Sequence, residues 1–299
     1  RTVASIKEVS HAAERISRGD FDRPLPVKTE DEVGELTRSF NTLMVQLEER
    51  MRIKQALNVA MEVQQNLLPQ EVPQIPGLDI AARSIYCDET GGDFYDFLQI
   101  QRHSSPFLGI AVGDVSGHGV SAALLMATIR AFIKSKVTEP NSIAESITDA
   151  NQLLTQDTRD SGQFVTLFYT EISPDTKSLR WVRAGHDPAI FYDPRRDKFE
   201  ELRGQGMALG IDPVFKYQES TIENISSGNT LVIATDGLWE AQNQKGEMFG
   251  KHRLKALVRR HAGSSSDVIL KAIIDSIKKF QGSVSQEDDI TLLVIKITD

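Results

Sequence analysis

Three apolar runs break off at aspartates. "GIAVGD" stops at Asp114, "LVIATDG" stops at Asp236, and "EDDITLLVIKI" starts directly after Asp288 and Asp289. A further carboxylate, Asp93, follows two glycines in "TGGDFYDF" (Thr90–Phe97), read as a loop whose missing Cβ atoms let backbone approach closely. A lone Asp at a strand end is a turn former, and unrelated turn aspartates are the competing reading. Carboxylates that converge raise one another's proton affinity unless cations neutralise them. Oxygen-only ligands select hard ions, Mg²⁺ or Mn²⁺, over zinc. Two such ions sharing a bridging Asp would polarise a phosphoryl oxygen and activate water, which is phosphotransfer or hydrolase chemistry. Spacing does not supply the convergence that this chemistry requires.

The elements that must position these groups lie after Gly77. Strands are expected at Leu78–Tyr86, Phe107–Val112, Phe164–Ile172, Leu179–Arg183, Ala189–Tyr192, Leu231–Ala234 and Ile290–Ile297. Helices are expected at Val120–Val137, Ser142–Gln156, Lys251–His261 and Ser266–Phe280. Strands and helices come in batches, and turns such as "SPDTKS" join neighbouring strands. That predicts an α+β sandwich of mostly antiparallel sheets with helices outside. No G-x-G-x-x-G opens a helix after a strand, so a dinucleotide loop is excluded.

The first part of the chain has a different texture. Of 20 aromatic residues only Phe21 and Phe40 precede residue 77, and of 20 glycines only Gly19 and Gly34 do. Val3, Ile6, Val9, Ala13 and Ile16 form one a/d seam; Val33, Leu36, Phe40, Leu43 and Leu47 form another. Gly19, Pro24 and Pro26 separate them. Neither short helix can bury its stripe alone, so a parallel four-helix bundle made by a dimer is expected. Continued past Leu47, the second seam meets Arg50 and Lys54, which makes a solvated linker helix or a marginally fixed register. "LLPQEVPQIPG" (Leu67–Gly77), with three prolines, ends this part.

The chain has 299 residues with 34 Lys and Arg against 42 Asp and Glu, a net charge of −8. Residues 1–70 carry 10 basic and 11 acidic residues, so a net −7 falls on residues 71–299. Such a balance excludes a phosphate-backbone binder, whose affinity comes from clustered Lys and Arg. The single Cys87 excludes an intramolecular disulfide and a cysteine-rich zinc site, and fits a reducing compartment. No apolar run approaches the roughly 20 residues of a membrane span. The Arg1 start is read as that of a piece of a longer protein.

Residues 77–299 resemble the SpoIIE/RsbU-type branch of the PPM metal-dependent Ser/Thr protein phosphatases. The motifs that carry the resemblance, in family order, are "GGDFYDF" (Gly91–Phe97), "GDVSGHGVSAALLMA" (Gly113–Ala127), "FVTLFY" (Phe164–Tyr169), "AGHDPAI" (Ala184–Ile190), "MALGI" (Met207–Ile211), "TDGLWEAQNQKGEMFG" (Thr235–Gly250) and "DDITLLVI" (Asp288–Ile295). "AMEVQQNLLP" (Ala60–Pro69) also resembles the family's linker helix. The resemblance implies a sandwich of two antiparallel sheets with a two-metal site at one edge, holding Mn²⁺ or Mg²⁺. It implies that Asp114 bridges both ions, that the Val115 carbonyl contacts one, and that Asp93 supports that same ion. Asp236 and Asp288 would hold the other, with Asp289 the competing choice. The implied reaction is direct in-line attack of activated water on phosphoserine or phosphothreonine. Ser116 stands where the eukaryotic branch has its general-acid His, and His118 lies four residues after Asp114, so neither is assigned that role. His186 is read as a structural turn residue. Arg83, Arg130 and Arg183 are candidate phosphate contacts, each with surface charge as the alternative.

The N-terminal part resembles a HAMP domain through "GDF" (Gly19–Phe21), the connector prolines and the D-E-x-G-x-L start of "EDEVGELTRSFNTLMVQL" (Glu30–Leu47). That implies a place just inside a membrane span. The expected organisation is a HAMP domain over 1–50, a coiled-coil linker helix over 51–72 and a phosphatase domain over 73–299. The expected whole is the cytoplasmic domain of an inner-membrane-anchored bacterial sensor. It would be homodimeric through its HAMP and linker helices, touch the membrane only through an upstream segment and bind no nucleic acid. As the family implies, its substrate would be a phosphorylated STAS-domain anti-anti-sigma antagonist. A catalytically silent phosphatase-like scaffold and a HAMP-linked two-metal nucleotidyl cyclase are the alternatives.

Overall fold

The computed structural model describes every residue except 1, 19, 22, 88–90, 103, 104, 118, 140, 174 and 176. It divides into two compact units, Arg1–Ala60 and Met61–Asp299.

In the first unit, α1 (Thr2–Ser17) and the part of α2 (Glu32–Leu67) up to Ala60 are joined by an extended connector. The D-E-x-G start has a local cause. Asp31 Oδ1 accepts the backbone N–H of Val33 and Gly34 at 3.1 and 3.2 Å, capping α2. A Cβ on Gly34 would lie 1.9 Å from the Thr29 carbonyl oxygen, so only glycine lets the connector pass. The connector is then pinned by Asn41, which accepts from the Leu25 N–H and donates to the Leu25 carbonyl, both at 2.8 Å. Gly34, Thr37 and Met44 are buried within one chain, whereas Leu36 and Leu43 of the expected seam stay 47% and 51% exposed. The helix runs unbroken through Arg50 and Lys54 for 36 residues.

The second unit is a sandwich. One sheet has the order β1-β10-β9-β6-β7 and the other β2-β3-β4-β5-β8, and every pairing is antiparallel. The strands are β1 (Leu78–Ile85), β2 (Phe94–Arg102), β3 (Ser105–Val115), β4 (Val165–Ser173), β5 (Ser178–Ala184), β6 (Ala189–Asp193), β7 (Lys198–Leu202), β8 (Ser220–Glu223), β9 (Thr230–Ala234) and β10 (Ile290–Ile297). Helices α3 (Val120–Val137) and α4 (Ile143–Thr158) cover the β2–β8 sheet, burying Met126, Ile129, Ile147 and Leu154 against Phe94, Ala111 and Leu167. The short α5 (Gly237–Glu240), α6 (Gly250–Arg260) and α7 (Ser266–Gln281) cover the other sheet. Leu231, Ile233, Leu293 and Ile295 meet Ile110, Val112 and Phe168 between the sheets. Central strands therefore bury both faces, and β10 reads "ITLLVIKI" without alternation.

The expected antiparallel sandwich is present, with differences. "TGGDFYDF" is not all loop, because Phe94–Phe97 open β2. Asp96 inside that strand is buried and paired with Arg130 at 2.9 Å and Lys134 at 3.3 Å from α3. β7 and β8 are short, half-exposed edge strands whose polar side chains conceal the pattern. Among the described residues no helix is long and apolar enough to cross a membrane.

Candidate metal centre

Antiparallel pairing gathers the aspartates at one end of the sandwich. Asp114 is the next-to-last residue of β3. Phe94 pairs with Gly113, so Asp93, one residue before β2, arrives beside it. Where β9 ends, its partner β10 begins, which brings Asp236 to Asp288 and Asp289. Thr235 stitches these ends together. Its N–H donates to the Thr291 carbonyl at 3.1 Å, its hydroxyl accepts the Thr291 N–H at 2.9 Å, and the same hydroxyl donates to Asp93 Oδ2 at 2.7 Å.

Glycines make the close approaches possible. A Cβ on Gly92 would sit 2.7 Å from the Val115 carbonyl oxygen, and one on Gly91 would sit 2.0 Å from Asp289 Oδ2. A Cβ on Gly237 would lie 2.1 Å from the Asp289 carbonyl oxygen. The backbone of the Asp93 loop thus lies against the Val115 carbonyl, one of the expected oxygen donors.

The electrostatics are those of crowded like charges. Burial, then Asp114, raises the Asp93 carboxyl well above its ordinary range. Burial, then Asp236, Asp288 and Asp289, pushes Asp114 up to about 7. Asp236 is raised by burial and by Asp288, and Asp288 by its partial burial and by Asp289. Among the described residues none of these five carboxylates has a Lys, Arg or His ion-pair partner. Uncompensated carboxylates held at strand ends are a hard-cation donor set. Among the described residues no group of three or more Asp, Glu, His or Cys side chains is arranged as an ion cage.

The two paired aspartates point differently. Asp289 is 6% exposed and its Oδ1 accepts the Cys87 N–H at 2.9 Å, which ties it to the end of β1. Asp288 is exposed and lines a cleft of about 250 Å³ with Gly237 and Glu240. Asp114 and Asp236 share a second cavity of about 150 Å³ with Thr166, Gly185, His186, Asp187 and Glu240. Asp288 is thereby the open carboxylate of the pair.

His118 lies outside the described residues. Ser116 is used structurally: its Oγ accepts the Phe164 N–H at 2.9 Å and its N–H donates to the Phe164 carbonyl. Two of the candidate arginines are engaged elsewhere, Arg130 with Asp96 and Arg183 with the carbonyls of Gly204 and His186. Arg83 is exposed on β1. Sequence reasoning missed Thr235, Glu240 and Gln64. Glu240 had a readable signal, four residues after Asp236 and so on the same helical face. Gln64 had none: it is 5% exposed and donates to the Gly91 carbonyl at 2.5 Å, a contact that depends on the tertiary fold.

The SpoIIE family profile (Stage II sporulation protein E) matches residues 106–298, and the HAMP domain profile matches residues 1–49. Phosphoserine phosphatase RsbU of Bacillus subtilis (strain 168) is 30% identical over 247 residues, 83% of this chain and 71% of RsbU. Phosphoserine phosphatase RsbP of the same organism is 23% identical and the chain spans 59% of it. The SiaA-PP2C domain of Pseudomonas aeruginosa superposes with a TM-score of 0.71 at 23% identity, over 83% of this chain and 98% of that one. RsbX in complex with magnesium superposes with a TM-score of 0.57 at 17% identity, over 76% of this chain and 99% of that one. At these identities the superpositions speak to the fold alone.

Proposed function

The chain belongs to the SpoIIE family, with a HAMP domain ahead of the family domain, and on that premise we propose that it is a signal-regulated, metal-dependent protein serine/threonine phosphatase. The observation that carries this reading is the pooling of Asp93, Asp114, Asp236, Asp288 and Asp289 at one end of the sandwich with no compensating cation among the described residues. Asp114, with the Val115 carbonyl, Asp93, Asp236 and Asp288, would hold two ions. Two bound Mn²⁺ or Mg²⁺ ions would supply phosphoryl polarisation and an activated water for in-line displacement. Asp289 holds the Cys87 backbone and so positions the strand end that carries Asp288. Thr235 fixes the Asp93 carboxylate by donating to its Oδ2.

The substrate class follows the named activities of RsbU and RsbP: a phosphoserine- or phosphothreonine-bearing protein, which we take to be a STAS-domain antagonist in a partner-switching pathway. We place the HAMP domain at 1–50, a coiled-coil signalling helix at 51–72 and the phosphatase domain at 73–299, in a homodimer tethered through an upstream membrane segment. The half-exposed Leu36 and Leu43 support the dimer. Regulation through the linker is supported by Gln64, whose amide reaches the Gly91 carbonyl two residues from Asp93.

The test is hydrolysis of an aryl phosphate and of phosphorylated STAS proteins, with and without Mn²⁺. Turnover that appears with Mn²⁺ and disappears with EDTA is expected. Absent turnover in dimeric protein shown to bind Mn²⁺ would leave a non-catalytic scaffold.

A further inference from the structure

The cavity shared by Asp114 and Asp236 has one wall whose chemistry the reaction above does not use. His186 is 3% exposed, yet it is a polar ring placed between the two sheets. The turn that delivers it is exacting. Gly185 has φ 71, and a Cβ there would meet the Ala208 backbone at 2.8 Å. The guanidinium of Arg183 then clamps the turn, donating to the His186 carbonyl at 2.8 Å and to the Gly204 carbonyl at 2.9 and 3.1 Å.

The ring is hydrogen-bonded to one sheet and lines the cavity together with Asp236 at the end of the other. Nδ1 lies 2.8 Å from the Thr166 hydroxyl on β4, and Thr166 is the residue directly opposite Asp114 in the β3–β4 ladder. Nε2 is buried without a closed hydrogen bond, and the backbone acceptor beside the ring is the carbonyl of Ala234, last residue of β9 and two before Asp236. A carbonyl only accepts, so the proton belongs on Nε2 and Nδ1 accepts from Thr166. Burial lowers the imidazole to about 4, which keeps it neutral and leaves Nδ1 as the acceptor for Thr166.

We propose that His186 is a positioning residue: its imidazole is a strut between β4 and β9 that sets the separation of Asp114 and Asp236 and thereby the spacing of the two ions. The inference rests on the reading of these aspartates as metal ligands. Like charges on two different sheets push those sheets apart, and Asp236 is the charge that Asp114 feels most. A neutral strut opposes that opening without adding a charge to the site.

The experiment uses the full chain, titrated with Mn²⁺ by calorimetry and examined by electron paramagnetic resonance. His186→Asn keeps an acceptor near the Nδ1 position and removes the Nε2 donor; Thr166→Val removes the hydroxyl at nearly constant volume. Each is expected to weaken one of the two Mn²⁺ by about tenfold or more, the range found for groups that orient metal ligands. Each should also lose the spin-coupled signal of a close Mn²⁺ pair and lower kcat more than it changes KM. Thr166→Ser should restore all three. If His186→Asn does not fold, Thr166→Val carries the test. Two ions bound by Thr166→Val with wild-type affinity and coupling would overturn the strut while leaving the metal centre standing. Wild-type protein that takes up no Mn²⁺ would overturn both.

Discussion

Asp236 sits at the N-cap position of α5 and makes no capping hydrogen bond there. Its charge is therefore a burden to the metal-free fold rather than a support. Asp236→Asn should abolish Mn²⁺-dependent turnover while the melting temperature in EDTA stays equal to wild type or rises. Retained turnover would remove Asp236 from the ligand set. The same logic fixes a pH dependence. Asp114 titrates near 7 when folded, against about 3.9 unfolded. Its stabilising contribution is complete below the unfolded value and lost as pH rises towards 7. Thermal melts in EDTA should fall from pH 5 to pH 8, and saturating Mn²⁺ should restore most of the loss at the upper end. A flat EDTA profile would show that the carboxylates do not repel one another in the fold. Asp114, Asp236, Asp288 and Asp289 were legible because they bound apolar runs, and Asp93 because it follows two glycines. Thr235, His186 and Gln64 were not, since a hydroxyl, an imidazole or an amide acquires its role only from partners distant in sequence.

At the level of elements, Ile290–Ile297 and Val120–Val137 are read from the sequence with their ends correct, since long unbroken apolar or 3.6-period patterns leave little choice. β2 was hidden by Asp96, whose ion pairs lie on α3, and by the glycines ahead of it. Those glycines carry their own prediction. In Gly92→Ala the new methyl would meet the Val115 carbonyl, so either the Asp93 loop or the end of β3 must move. A loss of about 1–3 kcal/mol is expected from denaturant melts, in the range of overpacking, together with weakened Mn²⁺ binding. Along α2, Arg50 and Lys54 interrupt a seam without interrupting the helix. Cross-linking two copies at residue 54 in alternative registers should give two different turnover rates. Equal rates would remove the linker from regulation.

For the whole molecule, the half-exposed Leu36 and Leu43 leave the first unit incomplete as one chain. Leu43→Asp should convert a dimer to a monomer in sedimentation equilibrium while the melting of the Met61–Asp299 unit is unchanged. A dimer that persists would place the contact elsewhere. The antiparallel order of both sheets has a practical corollary. Strand ends alternate, so the carboxylates occupy one end and the turn between Asp193 and Lys198 occupies the other. A strand of five residues separates them by about 16 Å at roughly 3.3 Å per residue. A dye or a surface tether attached at Arg195 or Arg196 would therefore report on this protein, or hold it on a sensor chip, with the carboxylate end directed away from the support.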